Sequence, residues 1–169
     1  MVTDPRRPGK LIKESNMHHI EADNMLRSTP FGQRALRLGA VNPDGSINLI
    51  EMANSTKNLD KGRAAFPDVK FSDFIHNTQH PKFDGLMQDV LGDAIAEVKQ
   101  AKGLAGMKDK DFISQMTKEE IQASWNKALR RMRRGLMGED KALYNRIKQI
   151  TRPSGSIAQG ESQNDTEVA

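Results

Sequence analysis

Apolar positions recur at helical spacing in the second half of the chain. Phe83, Leu86, Met87, Val90, Leu91, Ala94, Ile95 and Val98 predict a long helix that opens at Pro81 and ends before Gly103 and Gly106. Thr117 and Glu120 have the spacing of a capping box. The helix it opens carries Ile121, Trp125, Ala128, Leu129 and Met132 on one side. A last helix is expected over 139–150, with Leu143, Tyr144, Ile147 and Ile150 inward.

The first half is less regular. Residues 1–16 are polar, with Pro5, Pro8 and Gly9, and read as an arm. Met17 to Ile20 suits a short strand. A short helix is expected from Pro30, with Phe31, Ala35 and Leu38 on its apolar face and Gly39 as its stop. Asn42-Pro43-Asp44-Gly45 is a turn, since Pro presets the second position and Gly accepts positive φ. A loosely alternating strand then covers 46–52, and a long polar loop covers 53–71. Beyond Pro153, the Ser-, Gly-, Gln- and acid-rich tail (153–169) is expected to be disordered.

Composition narrows the chemistry. There is no cysteine in the 169 residues, which excludes disulfides, thiolate metal sites and a cysteine nucleophile. Aromatics are 5%, too few for a base-stacking platform. A formal charge of +4 and a pI near 9.4 admit a polyanionic partner. No apolar run has the length of a membrane span, and the N-terminus has no apolar core of a classical signal peptide.

The histidines are the candidate site. All four fall in two pairs, His18-His19 and His76-x-x-x-His80. Imidazole is the commonest neutral ligand for borderline divalent metals. Neighbours on a strand point to opposite faces, so one ring of His18-His19 can hold a metal while the other faces a water. A metal that polarises a phosphate beside a base that activates water is the equipment of a hydrolase. A surface His-His, a chance HxxxH match or a structural metal clip would give the same letters.

The order Met-His-His-Ile (17–20), Asn48-Leu-Ile-Glu-Met, and Ile75-His-Asn-Thr-Gln-His-Pro-Lys-Phe (75–83) resembles the HNH, or ββα-metal, nucleases. The nearest group is the AHH type found among bacterial polymorphic toxins. The resemblance covers Met17 to about Leu91. It implies an α+β, mostly helical fold in which a small ββα-metal nuclease core (17–102) is surrounded by helices and followed by a helical extension (103–152). It also implies that His18, His76 and His80 bind one divalent metal, that His19 is the general base, and that Asn48 holds the His19 ring, with Asn54 a rival for that role. Mg²⁺ is the expected catalytic ion, with Zn²⁺, Ni²⁺ and Mn²⁺ as alternatives. The chain departs from the pattern at Met17, where a small residue is usual, and at Phe83, where Tyr is common. Pro81 disfavours helical geometry at His80, which puts that ligand in question.

The functional expectation is a DNase acting as the toxin part of a larger effector. It would be a monomer when free, delivered into the cytoplasm of a target bacterium and held inactive by an acidic immunity protein. A metal-dependent RNase and a non-catalytic nucleic-acid-binding module with a structural His-metal site are the alternatives. Outside the resembling segment, Lys127, Arg130, Arg131, Arg133 and Arg134 crowd one helix and are candidate phosphate contacts, or a face for the acidic partner.

Overall fold

The computed structural model describes residues 2–3, 11–12, 15–75 and 81–150. The described elements are β1 (Val2–Thr3), β2 (Leu11–Ile12), β3 (Ser15–His19), α1 (Asp23–Ser28), α2 (Pro30–Arg37), a 3₁₀ turn (Ser46–Asn48), β4 (Leu49–Ala53), α3 (Thr56–Ala65), α4 (Pro81–Ala101), α5 (Asp109–Gln115), α6 (Lys118–Leu136) and α7 (Lys141–Ile150). Strand β1 pairs antiparallel with β2, and β3 pairs with β4. The fold is α+β and mostly helical, as the sequence predicts. No helix among the described residues is long and apolar enough to cross a membrane. The expected disordered tail lies outside the described residues.

The chain forms two compact units, each assembled from separated segments. Among the described residues, one comprises 18–50 and 81–133, the other 2–3, 11–12, 15–17, 51–75 and 134–150.

In the first unit, α2 starts as expected at Pro30, with the Thr29 hydroxyl accepting the Gly32 N–H, and Gly39 follows it at φ +61°. Helix α1 packs on α2 closely enough that a Cβ on Gly32 would stand 2.0 Å from the Leu26 carbonyl oxygen. The core gathers Ile20, Leu26, Phe31, Met87, Leu91, Phe112, Ile121, Trp125, Leu129 and Met132, all nearly inaccessible to water. The capping box forms: Thr117 N–H donates to Glu120 Oε2 at 3.0 Å, and Glu120 N–H to the Thr117 hydroxyl at 3.1 Å. Helix α5 was not expected. It buries Phe112 and Ile113, and Arg34 grips the Met116 carbonyl after it through Nε and Nη2, at 3.1 and 2.9 Å.

In the second unit the expected loop 53–71 contains helix α3. Ser55 caps it, accepting the Asn58 N–H at 3.2 Å, and Leu59 is its one buried residue. A single inward residue gives no periodic apolar signal, which is why the segment reads as loop. Helix α7 lies near enough to the end of α6 that a Cβ on Gly135 would stand 2.7 Å from Leu143 Cγ. Residues 72–74 are fixed on these helices. The Ser72 hydroxyl donates to the Leu136 carbonyl at 2.7 Å, and Phe74 meets Tyr144 with ring centroids 5.1 Å apart. Asp73 accepts from Tyr144 Oη at 2.9 Å and from Arg63 Nη2 at 2.6 Å. Burial, then the bond to Asp73, raises the Tyr144 hydroxyl above its ordinary pKa.

Candidate active site

His18 and His19 are the last two residues of β3. The strand end is pinned directly after them, where the Ile20 N–H donates to the Asn48 carbonyl at 2.7 Å. His18 is half-buried, with its Nε2 out of reach of solvent. The neighbouring His19 ring is exposed. The two rings therefore occupy different surroundings, as adjacent strand residues do.

His19 has a partner that the sequence reading missed. Its Nε2 lies 2.9 Å from Asp44 Oδ1. An ionised carboxylate only accepts, so Nε2 carries the hydrogen, and in the neutral ring the lone pair sits on Nδ1. The Asn-Pro-Asp-Gly turn was legible in the sequence. That its Asp reaches a histidine 25 residues earlier was not.

Asn48 is the last residue of the 3₁₀ turn, directly before β4, and is fully buried. Its Oδ1 accepts the Glu21 N–H at 2.8 Å. Its Nδ2 donates to the Glu21 carbonyl at 3.1 Å and to the Pro43 carbonyl at 2.8 Å. This corrects the expected role: Asn48 holds the backbone on either side of the site, and the His19 ring is held by Asp44. The rival Asn54 is exposed.

Glu21 follows the histidine pair and is 1% exposed. Its Oε1 accepts from Gln88 Nε2, on α4, at 2.5 Å, while its Oε2 is buried with no hydrogen-bond partner among the described residues. Burial, offset in part by the Gln88 bond and reinforced by the Asp84 charge, raises its carboxyl from 4.5 to about 7. The signal in the sequence was slight: an acidic residue directly behind the apolar Ile20, at the end of the segment expected to be a short strand.

His76 and His80 lie outside the described residues. Of the expected metal ligands, His18 is thus the one whose surroundings are on view. A ring nitrogen held away from water, on a strand end pinned by Asn48, fits a metal ligand. Among the described residues no group of three His, Asp or Glu side chains is arranged to hold an ion.

Three of the five clustered cations of α6 are engaged within the first unit. Lys127 pairs with Glu97, and Arg131 with Asp93 at 3.2 Å, both acids lying on α4. Arg133 is the clearest correction. Its Nη2 donates to the carbonyls of Ser46, Ile47 and Leu49 at 3.2, 3.1 and 2.6 Å, and burial lowers its guanidinium pKa. It braces the turn that carries Asn48 and is not a free phosphate ligand. Arg130 and Arg134 are exposed, and neither pairs with a carboxylate among the described residues. No family model, curated protein or solved structure matches the chain.

Proposed function

We propose that the chain is a metal-dependent endonuclease that hydrolyses phosphodiester bonds. The observation that carries this reading is the unequal treatment of the two adjacent histidines. His18 is drawn in with its Nε2 away from water, and His19 is exposed with its ring oriented by Asp44. A ligand ring and a base ring need those two environments.

In this reading His19 accepts the proton of the attacking water at Nδ1, because Asp44 occupies Nε2. As the ring becomes an imidazolium, the Asp44 carboxylate faces the new positive charge and steadies it. His18 would hold the metal, and by the sequence pattern His76 and His80 would complete its shell. A bound divalent ion supplies a charge that polarises the phosphate and stabilises the leaving oxygen. Asn48 and Arg133 keep the turn and the strand end in register, so that His19 does not wander.

The substrate in this proposal is DNA without strong sequence preference. The setting is an antibacterial effector whose toxin part is held inactive by an acidic immunity protein. Of the five clustered cations on α6, Arg130 and Arg134 are exposed and pair with no carboxylate among the described residues, which leaves them for either polyanion.

The test is plasmid and total RNA incubated with the purified protein under Mg²⁺, Mn²⁺, Zn²⁺ or Ni²⁺, and again with chelator. Cleavage of plasmid that needs metal and is lost in His19→Ala is the expected result. Cleavage of RNA alone makes the protein an RNase. Intact nucleic acid under every metal overturns the reading.

A further inference from the structure

Glu21 is a junction. Its backbone N–H and carbonyl are both bonded to the Asn48 side chain, at 2.8 and 3.1 Å, so the direction in which its own side chain leaves is fixed. That side chain runs inward and bonds Gln88, 67 residues away, on the second turn of α4. One residue thus links the strand end that carries His18 and His19, the turn that carries Asn48, and a long helix.

The link is costly as a stabilising device. A carboxyl that is 1% exposed, with one oxygen unpartnered among the described residues, loses its hydration and recovers a single hydrogen bond from them. An apolar side chain of similar size would fill the space at lower free energy. What an apolar side chain cannot supply is a directional bond from the segment behind His19 to a fixed point on α4.

We propose that Glu21 is a positioning residue: through its hydrogen bond to Gln88 it anchors the His18–His19 strand end on α4 and sets the orientation of the two rings. This rests on the nuclease reading for its catalytic consequence, but not for its structural one. Glutamine at position 21 keeps a carbonyl that accepts from Gln88, whereas alanine removes the link.

The experiment is a double-mutant cycle of Glu21→Ala and Gln88→Ala, with Glu21→Gln as the conservative control. It is read in two ways on the full chain. Plasmid cleavage is expected to show kcat falling roughly tenfold to a hundredfold in each alanine variant, with KM little changed. The double variant is expected to be no worse than the singles, and Glu21→Gln to cleave like the unaltered protein. The second readout is the ring nitrogen NMR signals of His18 and His19 without metal. These should move in both alanine variants and return to their places in Glu21→Gln.

Three results overturn the proposal: ring signals unmoved in Gln88→Ala, additive losses in the cycle, or Glu21→Gln as impaired as Glu21→Ala. The last would mean that the negative charge matters and not the link. If Glu21→Ala does not fold, Gln88→Ala and Glu21→Gln still decide through the ring signals. If the unaltered protein cleaves nothing, the nuclease reading falls, and the ring signals decide the positioning role alone.

Discussion

Asn48 and Glu21 face each other across 27 residues and close a ring of two hydrogen bonds, Glu21 N–H to Asn48 Oδ1 at 2.8 Å and Asn48 Nδ2 to the Glu21 carbonyl at 3.1 Å. The amide imitates the backbone edge of a neighbouring strand, and its other N–H takes the Pro43 carbonyl at 2.8 Å. An amide is the one common side chain that offers an acceptor and two donors from one plane. Asn48→Ala strands these backbone groups in the interior, at a cost of roughly 3 kcal/mol or more. Asn48→Asp should cost at least as much, because a carboxylate turns donors into acceptors opposite two carbonyls. Urea unfolding of both variants measures this, and an aspartate variant as stable as the unaltered protein contradicts it.

The pair formed by His19 and Asp44 predicts a loss of rate without a loss of fold. Their side chains are 37% and 84% exposed, so the hydrogen bond contributes little to stability, about 0–1 kcal/mol. Asp44→Ala releases the ring and removes the charge that faces the imidazolium. Its kcat on plasmid should drop roughly tenfold or more, with the thermal midpoint nearly unchanged. If kcat is retained, His19 works without Asp44 and its proton is taken by another route.

Two arginines of α6, three positions apart, should behave in opposite ways. Arg133→Ala leaves the carbonyls of Ser46, Ile47 and Leu49 without their shared donor and should cost about 1–3 kcal/mol. Arg130→Ala, at an exposed position, should leave stability within about 0.5 kcal/mol. If Arg130 touches phosphate, its removal lowers the slope of log affinity against log salt by about 1. Thermal unfolding and binding of a short duplex at several salt concentrations separate the two. A destabilised Arg130→Ala or an unaffected Arg133→Ala reverses the assignment.

What was legible in the sequence follows from the range of the interaction that fixes each feature. Helix α4, the capping box at Thr117 and Glu120, and the stop at Gly39 are set by residues a few positions apart, and the pattern carries them. Helix α3 was hidden because Leu59 is its single buried residue. Helices α1 and α5, six and seven residues long, span too few turns for a period to register. The histidine pair was visible as letters. Its environment was not, because Asp44, Asn48 and Gln88 come from other elements, and nothing local marks an Asp, an Asn or a Gln as the one that reaches back. The basic run on α6 misled for the same reason. Sequence shows five cations, but not the acids at Asp93 and Glu97 or the carbonyls before β4 that engage three of them.

The buried carboxyl of Glu21 predicts how stability varies with pH. Its folded pKa of about 7 stands above the ordinary 4.5, raised mainly by burial and further by the Asp84 charge, against the Gln88 bond that lowers it. Between those two values the folded chain therefore binds more proton than the unfolded chain, and stability falls as pH rises through the window. The penalty is absent below 4.5 and complete above about 7; the interval corresponds to about 3 kcal/mol. Glu21→Gln has no proton to lose and escapes it. Relative to the unaltered protein, this variant should gain little at about pH 4.5 and about 3 kcal/mol at about pH 8. Urea unfolding of both proteins across that range gives the difference directly. A difference that stays flat with pH would mean that Glu21 titrates alike in the folded and unfolded chains, and that its carboxyl reaches water in the folded state.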